Sequence, residues 1–196
     1  AAEPRWVMAL VLSAALMSLQ VALIPSEVWG SFMREQLLAQ GGTPLPMPDR
    51  VTDWMSILTV VGAALSTSIV IPIGAGVLTG IFAFVLGDTG GYRQYLAVTA
   101  HSFFIPALVG LFIIPLKIAT QDPQLTLNLG SFFFFLPSGY WLSVLTAMDL
   151  TQIWSSLVIA QGAHCIDRRR SFTSAAVILL SLMLAMALII GRLMPS

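Results

Sequence analysis

From Trp54 to Leu86 the chain runs for 33 residues without one charged side chain. As a helix this stretch would be about 50 Å long at 1.5 Å per residue, whereas the hydrocarbon of a bilayer is about 30 Å thick. Shorter apolar runs occupy residues 6–24, 95–117, 145–166 and 172–193. Only 9% of the 196 residues are charged and 57% are hydrophobic, while a soluble domain carries about 25% charged residues. Most of the surface must therefore meet lipid. Lipid offers no hydrogen bonds to the backbone, so only helices and closed barrels can span it. Barrel strands alternate apolar and polar residues, and these runs do not. The sequence specifies an all-α polytopic membrane helix bundle with about five crossings.

The expected crossings are residues 6–24, 71–86, 95–117, 145–166 and 172–193. Pro25 stops the first, and Ser26 is placed to cap the next helix. The first run approaches a signal peptide in size, but no methionine precedes it and its charged flank is a single arginine. It reads as a spanning helix whose cytoplasmic N-terminal tail is missing from this sequence. Residues 26–40 set Val28, Phe32, Leu37 and Leu38 among Glu27, Arg34 and Glu35, the pattern of a short helix lying on the membrane. Pro72 should divide the long run into an interfacial or steeply tilted part, 53–70, and a crossing, 71–86. Pro106 should kink the third crossing. The block from Ser131 to Leu136 is too short to span and should dip into the interface. Trp6, Trp29, Trp54 and Trp141 fall near predicted interfaces as aromatic anchors.

Orientation follows from arginine and lysine near the span ends. With the N-terminus inside, the inner side holds Arg5, Arg93, Arg168, Arg169 and Arg170, and the outer side Arg34, Arg50, Lys117 and Arg192. The triplet sits in a very short loop and should dominate, which places the C-terminus outside.

Several polar residues invite a functional reading, each beside a structural one. Asp149 lies about a turn inside the fourth crossing, where an intramembrane acid suggests an ion or substrate role. Capping the helix start is the expected use, since a carboxylate also suits the dipole there. Lys117 should lie at similar depth and either snorkel or pair with Asp149, and Gln152 and Trp154 continue that stretch. His101, His164 and Gln161 are conceivable metal ligands, but no acidic or thiolate partner has suitable spacing, and interhelical hydrogen bonding is expected. Gly76 and Gly80 form a small-xxx-small pair that permits close helix approach. Arg168, Arg169 and Arg170 set topology and can hold anionic lipid. The single Cys165 excludes an intrachain disulfide. Zero net charge gives no footprint for nucleic acid. Ser13, Ser66, Ser68 and Ser102 lack a nucleophile context, so no enzyme and no cofactor is expected.

The order of these segments resembles the bacterial branch of the Yip (Ypt-interacting protein) family of small five-span membrane proteins. The resemblance rests on Glu3-Pro4-Arg5-Trp6, on the stretch from Phe32 to Gly41, and on Gly90-Gly91-Tyr92-Arg93-Gln94-Tyr95. It continues through Asn128-Leu129-Gly130 and the stretch from Met148 to Trp154. There Thr151 stands where the family motif usually has phenylalanine. Eukaryotic members bind Rab-type GTPases in membrane traffic, an activity that does not carry over to a bacterial protein. The resemblance implies a multi-pass protein of the bacterial inner membrane. The expected role is a scaffold or accessory protein, partnered by lipid, by other membrane subunits or by a second copy. A small transporter or channel using Asp149, Lys117 and His101, or a subunit of a larger membrane complex, are the alternatives.

Overall fold

The computed structural model describes residues 6–39, 41, 49–133 and 135–193. The 3–5 entry, the 43–48 linker and Phe134 lie outside the described residues. The helices are α1 (Trp6–Leu23), α2 (Ser26–Ala39), α3 (Asp49–Thr79), α4 (Tyr92–Ser102), α5 (Phe104–Phe112), α6 (Ile114–Thr120), α7 (Tyr140–Ala147), α8 (Leu150–Ile166) and α9 (Phe172–Leu193). No strand occurs among the described residues, so the bundle is all-α. Four helical stretches are long and apolar enough to cross a membrane: Trp6–Leu23, Ile57–Val85, Tyr92–Phe112 and Phe172–Leu193. The fourth expected crossing, 145–166, is instead split into α7 and α8 at Met148 and Asp149. At 17 residues, α8 stands at the lower limit of about 17 for a spanning helix.

Contacts between helices fix their directions. Ser13 Oγ donates to the Ala100 carbonyl, and Gln20 Nε2 to that of Ala107, both across 87 residues of sequence. A constant separation means that α1 runs parallel to α4 and α5. By contrast α8 runs antiparallel to α4, because Ser155 bonds the Ser102 carbonyl while Gly162 sits against Val98. The turns at 86–91 and 167–171 therefore share one end of the bundle with the start of α1. The far end holds α2, the start of α8 and the end of α9. Two apolar clusters fill the interior. One joins Ala9 of α1 to Ile71, Ala75, Leu96 and Ala100. The other joins Leu78, Phe82 and Tyr95 to Ala160 and Ala163 of α8 and Ala175, Ala176 and Leu179 of α9.

The expected division at Pro72 is not realised. The helix continues through it to Thr79. Proline removes one backbone bond, but in lipid each further broken bond costs several kcal/mol, so the remaining ladder holds the helix together. Its 29-residue apolar part, Ile57–Val85, is about 44 Å long and makes one continuous unit with the stretch expected to lie at the interface. The departure from α geometry comes later, as a π-helical turn over Gly80–Val85. That turn buries Phe82 in a stack on Tyr95, with centroids 5.8 Å apart. The third crossing is divided twice, at Phe103 between α4 and α5, three residues before Pro106, and at Ile113 between α5 and α6.

Gly76 and Gly80 do not serve as the expected packing pair: a methyl added to either would meet nothing within 4 Å. The buried stripe of α3 runs through Ile71, Ala75 and Leu78 and on to Phe82 of the π-helical turn, and Gly76 lies off it by one residue, about 100° around the helix. Close approach occurs at glycines the sequence did not single out. Gly162 faces Val98, Gly191 faces Val144, and Gly110 lies under the amide of Gln20. Gly162→Ala is expected to destabilise the bundle by about 1–3 kcal/mol through overpacking. Gly76→Ala should be neutral or stabilising by up to about 1 kcal/mol. Thermal unfolding of both variants in detergent checks the contrast; equal effects would contradict this packing.

Candidate functional site

Polar side chains gather in three places: the middle of the bundle, the start of α8, and the two short turns at the opposite end. In the middle they hold helices together. Pro106 has no N–H to offer the Ser102 carbonyl one turn before it, and Ser155 Oγ of α8 supplies the bond at 3.1 Å. Ser13 and Gln20 of α1 bond the carbonyls of Ala100 and Ala107 from the other side, at 3.3 and 2.8 Å. The Gln20 amide can lie this close because residue 110 is glycine. Serine and glutamine thus supply bonds that water would supply in a soluble protein.

At the start of α8, Asp149 is the N-cap, as expected. Its Oδ1 accepts from the Thr151 amide and hydroxyl, both at 2.6 Å, and from the Gln152 amide at 3.4 Å. Backbone bonds on either side, Leu150 N to Leu127 O at 2.8 Å and Leu129 N to Met148 O at 3.0 Å, stitch the preceding loop to the helix. Asn128 in that loop in turn caps the Leu129–Phe132 turn that starts the aromatic block. Of the two uses open to Lys117, the ion pair with Asp149 does not form among the described residues. Lys117 Nζ donates instead to the Pro123 carbonyl at 3.0 Å. Left-handed Gln121, with φ 57°, ends α6 and folds the chain back over its last turn. That brings a carbonyl within reach of Lys117. Gln152 gives its amide to the cap, while its side chain and that of Trp154 face outward.

The opposite end carries a charged clamp that the sequence reading did not assemble. Arg170 grips Asp88 with two nitrogens, Nη2 to Oδ1 at 2.7 Å and Nε to Oδ2 at 3.1 Å. Asp167, 5% exposed, accepts from the Thr89 amide at 2.9 Å and hydroxyl at 3.2 Å, and from the Arg169 amide at 2.9 Å. The bonds from the Thr89 and Arg169 amides hold its carboxyl below the usual range. His164 Nδ1 meets the Arg170 carbonyl at 2.6 Å. Arg170 is thus committed to the fold, and only Arg168 and Arg169 of the triplet project outward. The signal available in the sequence was one aspartate in each of two short polar turns, with arginines beside one of them.

His101 is exposed, and its Nδ1 lies 2.6 Å from the Ala97 carbonyl of its own helix. That contact stays within α4 and does not join two helices as anticipated. Gln161 contacts Cys165, and the two histidines have separate local partners, the Ala97 and Arg170 carbonyls. Among the described residues no three His, Cys, Asp or Glu side chains converge. No protein-family model matches the chain, and comparison with characterised proteins and with solved structures gave no match.

Two outcomes follow from this geometry. Asp149→Asn should largely keep stability because asparagine also caps, whereas Asp149→Leu should lose about 0.5–2 kcal/mol. Unfolding measurements that rank the two equally would sink the capping role. For Asp167, the lowered folded-state value means that its contribution is fully present above the unfolded value of about 4 and fades as pH falls through the folded one. The stability gap between wild type and Asp167→Asn, read as Tm from pH 7 down to about pH 3, should hold near neutrality and close in acid.

Proposed function

We propose that this chain is an integral membrane scaffold or accessory protein of the Yip-like kind that its segment order resembles, with no catalytic role of its own. The observation that carries this reading is the use of Ser13, Gln20 and Ser155: each spends its polar group on the backbone carbonyl of a neighbouring helix. These three side chains hold α1 and α8 in register on α4 and α5, while Thr79, Thr99 and Ser102 bond carbonyls of their own helices. The residues that invite a transporter reading have local work too. Asp149 caps α8, Lys117 bonds the Pro123 carbonyl, and His101 contacts its own helix.

In this reading α8 adds a crossing to the other four and is the fourth in chain order, and the chain sits in a bacterial inner membrane with its N-terminus cytoplasmic and its C-terminus outside. Arg168 and Arg169 then face the cytoplasm beside the clamp. There each is worth about 1 kcal/mol toward anionic lipid, or meets an acidic surface on a partner. The partners are lipid and other membrane subunits, or a second copy of the chain.

Native purification followed by mass spectrometry should recover a stoichiometric membrane partner or a defined homo-oligomer. Liposomes holding the chain alone should show no solute or ion flux. Flux that Asp149→Asn abolishes while the fold persists would replace the scaffold with a transporter.

A further inference from the structure

Where α7 packs across the last turns of α9, an open cleft of about 480 Å³ is lined by Tyr140, Leu188, Ile189, Arg192 and Leu193. We propose that this cleft holds one phospholipid, its phosphate on Arg192, its glycerol beside Ile189, and the first carbons of an acyl chain at Leu188. The lining is apolar apart from the Tyr140 hydroxyl, which already donates to the Leu188 carbonyl at 3.3 Å, and the Arg192 guanidinium.

Depth favours a lipid over a soluble anion. Arg192 is in the last turn of α9, an apolar helix of 22 residues and so about 33 Å long. A guanidinium at the end of such a helix lies at headgroup level. Leu188 sits one turn, about 6 Å, further in, where glycerol gives way to hydrocarbon. Charge agrees with depth: Arg192 has no ion-pair partner among the described residues, and a phosphodiester presents the oxygens a guanidinium takes in pairs. The cleft is also built rather than accidental. Val144 packs onto Gly191 so closely that a methyl there would collide with it, which brings α7 down beside Arg192. Trp141, exposed and edge-on to Tyr140 with centroids 5.2 Å apart, adds an interfacial ring at the same level. This inference rests on membrane residence but not on the scaffold role, and its test needs no partner, so the two fail separately.

The test is native mass spectrometry of the purified chain released from nanodiscs of phosphatidylglycerol mixed with phosphatidylcholine. Wild type should retain one phospholipid. Arg192→Gln should retain phosphatidylglycerol about fivefold less well, and Arg192→Lys should recover most of the loss. Leu188→Trp, which fills the cleft, should reduce retention of both lipids, and Ile189→Trp serves the same purpose if Leu188→Trp does not fold. Arg168→Gln with Arg169→Gln should leave this one lipid in place. Unchanged retention in Arg192→Gln, or displacement of the lipid by glycerol phosphate without acyl chains, would overturn the proposal. So would a second copy of the chain appearing in place of lipid.

Discussion

A carbonyl without a partner in the dry middle of a bilayer is the constraint from which much of this architecture follows. Pro106 creates one at Ser102, and leaving it bare would cost several kcal/mol. Ser155 answers from α8, which fixes how high α8 stands against α4. Ser13 and Gln20 answer nearby carbonyls from α1, which fixes α1 in the same way. Two helices, α1 and α8, are therefore registered on the α4–α5 segment. Close packing follows at Gly110 and Gly162, where a side chain would push a neighbouring helix away.

The two ends of the bundle are finished by different chemistry. At one, two short turns are locked by a two-pronged ion pair and by an aspartate receiving backbone amides. Breaking one partner of such a shielded pair leaves the other charge poorly solvated, which costs more than the pair contributes. At the other end the connections are longer, and neutral backbone bonds around Asn128 and Asp149 do the joining. One end is thus short and electrostatically tight. The other is broad, aromatic and suited to the headgroup region.

The limits of the first and last helices were legible, because runs such as 6–24 and 172–193 have one physical explanation in lipid. The cap at Asp149 was legible too, being a local event decided within three residues. Long-range pairing was not. Nothing near Asp88 in sequence announces Arg170, because the contact depends on how two hairpins stack. Gly76 and Gly80 misled for the same reason: spacing shows that a helix can be approached, not which of its faces is. Pro72 and Pro106 carry the same residue type with different outcomes. Both segments stay helical past their prolines, but at Pro106 a neighbouring helix supplies the missing donor, Ser155 to the Ser102 carbonyl.

The constant separation of 87 residues between the partners of α1 and those of α4 and α5 sets a clock on biosynthesis. At about 5–20 residues per second, Ser13 and Gln20 are made roughly 4 to 17 s before the carbonyls they bond. Throughout that interval a buried glutamine amide, one of the more costly neutral groups to strand in hydrocarbon, has only its own helix to turn to. The first helix is thus released into lipid as an incomplete part. Until α5 arrives, its amide must be sheltered by the insertion machinery, by water at the interface, or by a transient neighbour, and a ribosome that stalls within α3 leaves behind a segment with an unsatisfied hydrogen-bond donor.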